Sequence, residues 1–258
     1  MLVSEQILYT KEHRMRVPFD TKPFRAPSGR VLGYADLCLI AGLADAGSIG
    51  WSEEEVPFHK GFKSHVYIQM RNELSRQPAL LARVAARIKE KVEQTPLTTG
   101  PQRCVIGIPT AGTQLAQGVA MLSHFDHVTH VRPHSEPPIC FQSMRSVLKE
   151  THGKDRHWIG PADIGRYSYV SVENVISTAA GMLEYLDKMW HERYPIRVMH
   201  HVVFADWELG GIKNLDDAAI KHVHTLYVVR DMVAALVYLG AWPQERYEDV
   251  AQRLQAAA

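Results

Sequence analysis

Cysteine is scarce. Cys38, Cys104 and Cys140 are the three in 258 residues, odd in number and far apart, which excludes a disulfide framework and points to a reducing, cytoplasmic compartment. Charge of one sign is nearly balanced away: 29 Lys and Arg stand against 28 Asp and Glu, a formal net charge of +1. No long-range field therefore gathers a nucleic acid polymer or an acidic membrane, and an anionic partner has to be held by local arrangement, which favours a small anion. No run of about 18 apolar residues without a charge occurs, and MLVSEQILYTKEHRMRV at the N-terminus lacks an apolar stretch of signal length. No membrane segment is expected. Repeats and low-complexity tracts are missing as well. What remains is an ordinary globular composition, 46% hydrophobic and 22% charged, long enough to bury a full core as one large or two small domains.

Residues 1–30 mix Pro, Arg, Lys and aromatics without a clear period and read as an N-terminal extension packed on something else. PALLARVAARIKEKVEQ (78–94) places Leu80, Leu81, Val84 and Ile88 on one face at helical spacing, which predicts an amphipathic helix. Short β-rich runs then recur at 104–110, 137–144, 167–174, 197–206 and 224–229, with helical stretches at 113–123, 179–193 and 231–239. Strands that are apolar on both faces and separated by helices imply an α/β fold with a mainly parallel sheet covered on both sides. In open sheets of this kind ligands sit beyond the carboxyl ends of the strands. The C-terminal WPQERYEDVAQRLQAAA has Tyr247, Val250 and Leu254 on one side and reads as a packing helix.

The stretch SYVSVENVISTAAG (168–181) carries the most chemistry. Tyr169, Val170, Val172 and Val175 supply a buried strand, so Glu173 and Asn174 lie near its carboxyl end and face a ligand crevice. Ser177, Thr178, Ala179, Ala180 and Gly181 form a loop of small residues entering a helix, where backbone N–H groups and the positive helix end can surround a phosphate. A carboxylate beside such a loop accepts hydrogen bonds from hydroxyls or assists a bound metal, and the two together describe a sugar phosphate. An ordinary βα turn of small residues fits the same letters.

This stretch resembles the phosphoribosyl-pyrophosphate (PRPP) motif of type I phosphoribosyltransferases: an apolar strand, two acidic residues, two variable residues and a Thr/Gly-rich loop. Further segments over about residues 45–230 are similar, in order, to orotate phosphoribosyltransferase. GIPTAGTQLA (107–116) resembles that family's turn against pyrophosphate, and MRSVLKETHGK (144–154) its mobile Arg–Lys–x–x–Lys–x–His–Gly loop. FADWELGG (204–211) resembles its Asp–Arg–x–x–Gly–Gly segment, and HKGFKSHVYIQMR (59–71) is a weaker echo of its Lys–Ser–Gly…Tyr…Arg segment.

The resemblance implies a type I phosphoribosyltransferase fold, with an N-terminal extension and small hood over residues 1–75 and a core with a C-terminal helix over 76–258. It implies transfer of ribose 5-phosphate from PRPP to a nitrogenous base, with Mg²⁺ carried by PRPP rather than by direct protein ligands, and a homodimer. Glu173 and Asn174 would then contact ribose hydroxyls, Ser177 to Gly181 the 5-phosphate, and Thr110, Ala111 and Lys60 the pyrophosphate. Arg145, Lys149 and His152 would lie on a flap that excludes water and neutralises the leaving anion. Trp207 and Ser177 would meet the base.

Departures from the family pattern cluster where ligands would touch. Asn174 stands in place of a second acid, and Ala179 and Ala180 in place of residues often Gly, where a Cβ penalises positive φ. Ser146 occupies the first Lys position of the flap, and one extra residue separates Lys149 from His152. Trp207 replaces an Arg associated with orotate's carboxylate; an indole cannot form that charge pair but can stack on a ring. Three readings stay open: a transferase with another acceptor base, an orotate enzyme whose carboxylate is met by Lys60, Lys63 or Arg71, and a non-catalytic nucleotide-binding regulator or partner subunit.

Other features have plainer expectations. His124, His127, His130 and His134 match no common metal spacing, which leaves surface or capping roles. His200 and His201 alternate faces of a strand, so at most one points toward a ligand. Cys104 and Cys140 fall in strands and read as core residues. Lys149 could simply be solvated, Glu173 could cap the following helix or pair with a Lys, and Asp206 could hold the Gly210–Gly211 turn through its amides.

Overall fold

Runs such as CVIG and YVSV put apolar or small side chains on both faces of an extended chain, and strands of that kind persist only when both faces are covered. The structure, a computed structural model, describes residues 15–58, 61–129, 137–145, 158–159, 163, 165–190 and 196–257. It opens with an antiparallel pair of short strands, β1 (Phe24–Arg25) and β2 (Val31–Leu32), followed by helix α1 (Tyr34–Asp45). An antiparallel hairpin of β3 (Ile49–Pro57) and β4 (Lys63–Ile68) leads through α2 (Met70–Glu73) and a 3-10 turn (Leu74–Arg76) into α3 (Pro78–Glu93). The chain then runs through β5 (Gln102–Gly107), α4 (Ala111–Thr129), β6 (Cys140–Met144), β7 (Trp158–Ile159), β8 (Tyr167–Ile176) and α5 (Ala180–Trp190). It closes with β9 (His200–Asp206), α6 (Gly211–Asp217), β10 (His222–Val228), α7 (Val229–Tyr238) and α8 (Gln244–Ala257).

One sheet orders its strands β10-β9-β8-β5-β6-β7. The first five are parallel and β7 pairs antiparallel at the edge. All seven residues of β9 are buried. On one face Val105, Val170, Val202 and Phe204 join Val84 and Ile88 of α3, Leu115 and Val119 of α4, and Leu37, Ile40 and Leu43 of α1 in a single core cluster. On the other face Cys104, Ile106 and Tyr169 pack against Met189, Tyr185 and Leu186 of α5, and Val203 and Ile176 against Met182 of α5 and Leu215 of α6. Neighbouring strand residues thus feed opposite layers, as the pleat requires. The expected α/β sheet with helices on both sides is present.

Chain order along the sheet reverses between β8 and β5: β5 proceeds outward to β6, whereas β8 proceeds the other way to β9. Right-handed crossovers put α4 and α5 on opposite faces, and a crevice opens at the carboxyl ends of these two central strands.

Element ends differ from expectation for local reasons. The strand expected to reach residue 110 stops at Gly107, since Pro109 has no N–H to continue a ladder, and residues 108–110 form the turn into α4. Helix α4 runs on to Thr129, six residues past its expected end, and carries His124 and His127 exposed on its surface. His130 and His134 lie outside the described residues.

Residues 24–45 also reach into the core, tied by a polar contact. Asp36 of α1, buried beneath the surface, accepts from Tyr227 Oη of β10 at 2.6 Å and from the Gly33 N–H at 3.0 Å, and pairs with Arg87 of α3. Burial alone would raise this carboxyl; the hydrogen bonds from Tyr227, Arg87 and Gly33 outweigh it and hold Asp36 below the usual carboxylate range. No helix among the described residues is long and apolar enough to cross a membrane.

Candidate active site

Strand β5 ends where three close approaches converge. A Cβ on Gly107 would lie 2.3 Å from Gly112 O and from Thr113 Cα, and one on Gly112 would lie 2.3 Å from Val172 O. With no side chain at either position, the backbone of α4's first turn presses onto β5 and β8. Ile108 N–H donates to Val172 O at 2.9 Å, and the Pro109–Thr110 peptide is cis. Thr110 and Ala111 line the same cleft as Glu173.

Strand β8 carries Glu173 and Asn174 to the crevice, and its last hydrogen bond to the next segment runs from Trp207 N–H to Ile176 O at 2.9 Å. The loop from Ser177 then turns sharply into α5 with Ala179 in the left-handed region at φ 60°. That conformation costs an L-residue about 1–2 kcal/mol. Ala179 is nonetheless 95% buried, and its methyl packs with Ile176, Met182 and Leu215 behind the loop. The loop is braced from α6: Asn214 Nδ2 donates to Thr178 O at 3.0 Å, and Gly211 sits so close that a Cβ there would lie 2.5 Å from Ser177 O. The first N–H groups of α5 have no partners within the helix and border the crevice.

These parts enclose a cleft of about 560 Å³. Glu173, Asn174, Ser177 through Gly181, Thr110 and Ala111 all line it, together with Gln69, Arg71 and Asn72 from the segment after β4. Glu173 is the only carboxylate and Arg71 the only Lys or Arg among the described lining residues.

At the cleft floor, desolvation pushes the Glu173 carboxyl up to about 8, against the Asn174 N–H that donates to it at 2.8 Å and the attraction of Arg71. The group holds its proton in the folded chain to about pH 8 but near its ordinary 4.5 when unfolded. Between those values the folded state binds the extra proton, so stability falls as pH rises across the window and levels off above it. A Glu173→Gln variant is expected to match the wild type near pH 5 and to exceed it at pH 8 by roughly 1–3 kcal/mol, less than a fully enclosed group would give because the cleft admits water. Urea unfolding at the two pH values measures the difference; parallel wild-type and variant curves would remove the desolvated carboxyl.

Other anticipated residues lie elsewhere. Trp207, expected to present its ring to an acceptor, does not line the cleft: it is 1% exposed, with Phe58 and Phe62 edge-on to it at 4.7 and 6.0 Å between ring centres. Arg145 follows β6 and is not among the lining residues. Lys60, Lys149 and His152 lie outside the described residues. Lys63 pairs with Glu55 at 3.9 Å and is not among the lining residues. Asp206 accepts from the Glu208 N–H at 2.9 Å rather than from the Gly210 or Gly211 amide, and burial pushes its carboxyl up.

His201 is buried with Nδ1 2.7 Å from Ser171 Oγ, and burial first, then the neighbouring His200, lowers it to about 4. His200 stacks on His224 and meets His222 at a tilt at the opposite, amino end of the sheet, so neither histidine meets the cleft. Cys104 is buried opposite Cys140 on the adjacent strand, as a core residue. No group of three metal-ligating side chains occurs among the described residues. Gln69, Asn72 and Asn214 were not singled out by sequence, although Gln69 and Asn72 flank the quoted Met70–Arg71 and Asn214 follows the Gly–Gly pair.

Neither a protein-family model nor a curated protein sequence matches the chain. Solved structures do. UMP synthase from Leishmania donovani superposes with a TM-score of 0.66 at 15% identity, over 86% of this chain and 42% of that one, so the chain spans less than half of that protein. Orotate phosphoribosyltransferase from Aeropyrum pernix gives 0.54 at 19% identity, covering 78% of this chain and 98% of that one. The Mycobacterium tuberculosis orotate phosphoribosyltransferase in complex with PRPP gives 0.51 at 11%, covering 78% and 93%. The chain has the type I phosphoribosyltransferase fold, shared with UMP synthase and with orotate phosphoribosyltransferases.

Proposed function

We propose that the cleft binds PRPP and that the chain is a phosphoribosyltransferase moving ribose 5-phosphate to a nitrogenous base of the orotate type, with release of pyrophosphate, in the cytoplasm and in pyrimidine biosynthesis. The observation that carries this reading is convergence: a bare-backbone loop at a helix start, a carboxyl–carboxamide pair and a second backbone turn share one cleft at the switch point of the sheet. The solved PRPP complex of a protein with this fold supports it.

Ser177 to Gly181 take the 5-phosphate on their amides, and the α5 dipole adds a favourable field. Glu173 and Asn174 take the ribose hydroxyls, Glu173 donating while protonated and accepting once ionised. Thr110 and Ala111 face the pyrophosphate with backbone, and Lys60 joins them from the hood formed within residues 1–75. Ser177 faces the base. A single carboxylate among hydroxyl and carboxamide oxygens suits Mg²⁺ held mainly by substrate oxygens and water. Bound there, the ion would neutralise charge developing on pyrophosphate. Arg145, Lys149 and His152 form the flap, closing over the partner subunit's cleft in a homodimer.

The test is a panel of orotate, uracil and purines incubated with PRPP and Mg²⁺ and read by mass. A phosphoribosylated product with one base supports the reading and names the acceptor; none with any base contradicts catalysis. Lys149→Ala is expected to lower the turnover rate by about 100-fold or more while weakening PRPP binding only a few-fold, as loss of a transition-state contact does. Equal losses in both would refute that role. A regulator that binds without turnover is the second reading, favoured by the missing charge at Asn174; thermal stabilisation by PRPP with no product would select it.

A further inference from the structure

Among the described residues, the anion-binding parts of the cleft named so far are backbone amides, and amides alone leave a multiply charged diphosphate leaving group short of countercharge. Arg71 is the only Lys or Arg among the described lining residues. Its main chain is clamped: Gln114 Nε2 donates to Met70 O at 2.9 Å and to Arg71 O at 3.3 Å. Gln114 lies in the first turn of α4, the helix that begins at Ala111. The Arg71 backbone is therefore fixed to the same helix end that carries the Thr110–Ala111 turn. Its side chain is exposed and forms no ion pair with a described carboxylate; its charge acts on Glu173, which lines the same cleft.

We infer that Arg71 is a cation that holds the leaving diphosphate, carried by the segment after β4 and additional to the flap residues proposed above. The inference rests on the cleft being a PRPP site. In the transfer, the bond from the anomeric carbon to the diphosphate oxygen breaks and its electron pair leaves with diphosphate. A bond from the acceptor nitrogen to that carbon forms, and the nitrogen's proton passes to solvent. Negative charge thus grows on oxygens beside residues 110 and 111, where a guanidinium offers paired donors in the fork geometry phosphate oxygens accept. A lysine there supplies a point charge without the fork.

Calorimetry on the full chain with three probes, inorganic diphosphate with Mg²⁺, ribose 5-phosphate and orotate, tests the assignment in the wild type, Arg71→Met and Arg71→Lys. Arg71→Met is expected to weaken diphosphate about 30-fold or more while ribose 5-phosphate changes less than about 3-fold, and Arg71→Lys to recover part of the loss. Unchanged diphosphate affinity overturns the inference, as does a loss confined to orotate, which would make Arg71 the acceptor's partner. Equal losses for all probes in both variants also overturn it. If wild type binds neither ribose 5-phosphate nor diphosphate, the PRPP reading itself falls; if it binds both and Arg71→Met changes nothing, only the role of Arg71 does.

Discussion

Gly211→Ala is expected to abolish useful phosphate binding while leaving a folded protein. The new methyl would lie 2.5 Å from Ser177 O, 3.2 Å from Ser177 C and 3.4 Å from Ala179 N, all backbone atoms of the loop that lines the cleft. Backbone cannot rotate away as a long side chain can, so the loop must move outward. Overpacking of this sort costs about 1–3 kcal/mol of stability. A displacement near 1 Å in a preorganised site costs about 100-fold, which is the loss expected in affinity for ribose 5-phosphate. Gly210→Ala is the control. Gly210 has φ 80° and open space around its Cβ position, so it meets strain of about 1–2 kcal/mol without touching the loop. Calorimetry with ribose 5-phosphate and urea unfolding on both variants measure the contrast. Retained affinity in Gly211→Ala would mean that residues 177–179 do not shape the ligand site.

The second large effect concerns stability. Asp36→Ala removes the acceptor shared by Tyr227 and Arg87, leaving a buried phenol without its partner and a partly buried guanidinium with Glu90 at 2.8 Å. Breaking a buried pair on one side costs about 3–5 kcal/mol, and the remaining Glu90 contact puts this case near the lower figure. For a chain this long that is a fall of about 10 °C in Tm. Tyr227→Phe loses one hydrogen bond and costs only about 1–1.5 kcal/mol. Because the Asp36 carboxyl is held below its ordinary 3.8, the stability it contributes is present above that value and is lost as pH falls through the depressed pKa. The wild type therefore loses an acid-dependent increment that Asp36→Ala lacks. Thermal melts at pH 7 and pH 3 separate the two; a cost under about 1 kcal/mol at pH 7 would refute a structural role for the pair.

The alternation of strand and helix was readable because each β8, β9 or β10 run is short, apolar and bracketed by breakers. Helix α1 was not. YADLCLIAGLAD buries Leu37, Leu39, Ile40, Ala41 and Leu43, so apolar residues surround much of the helix and leave no clear polar face to give a period. Strand β3 was hidden by Glu53, Glu54 and Glu55 in the middle of a hairpin arm. At the site, Glu173 and the following loop could be paired from sequence because they are contiguous. Asn214 reaches the loop from 36 residues away and Gln114 the hood from 43, distances at which only the fold makes neighbours. Trp207 was misjudged for the same reason: its cover, Phe58 and Phe62, comes from a hairpin far upstream.

The inward-facing methyl of Ala179 carries a broader lesson. What an anion needs from such a bend is an unobstructed front, and a small side chain turned to the rear meets that need as well as a hydrogen does, at a modest conformational cost. Fingerprints that demand glycine at that step will pass over chains of this kind, and three-dimensional likeness is then the surer guide to distant kin.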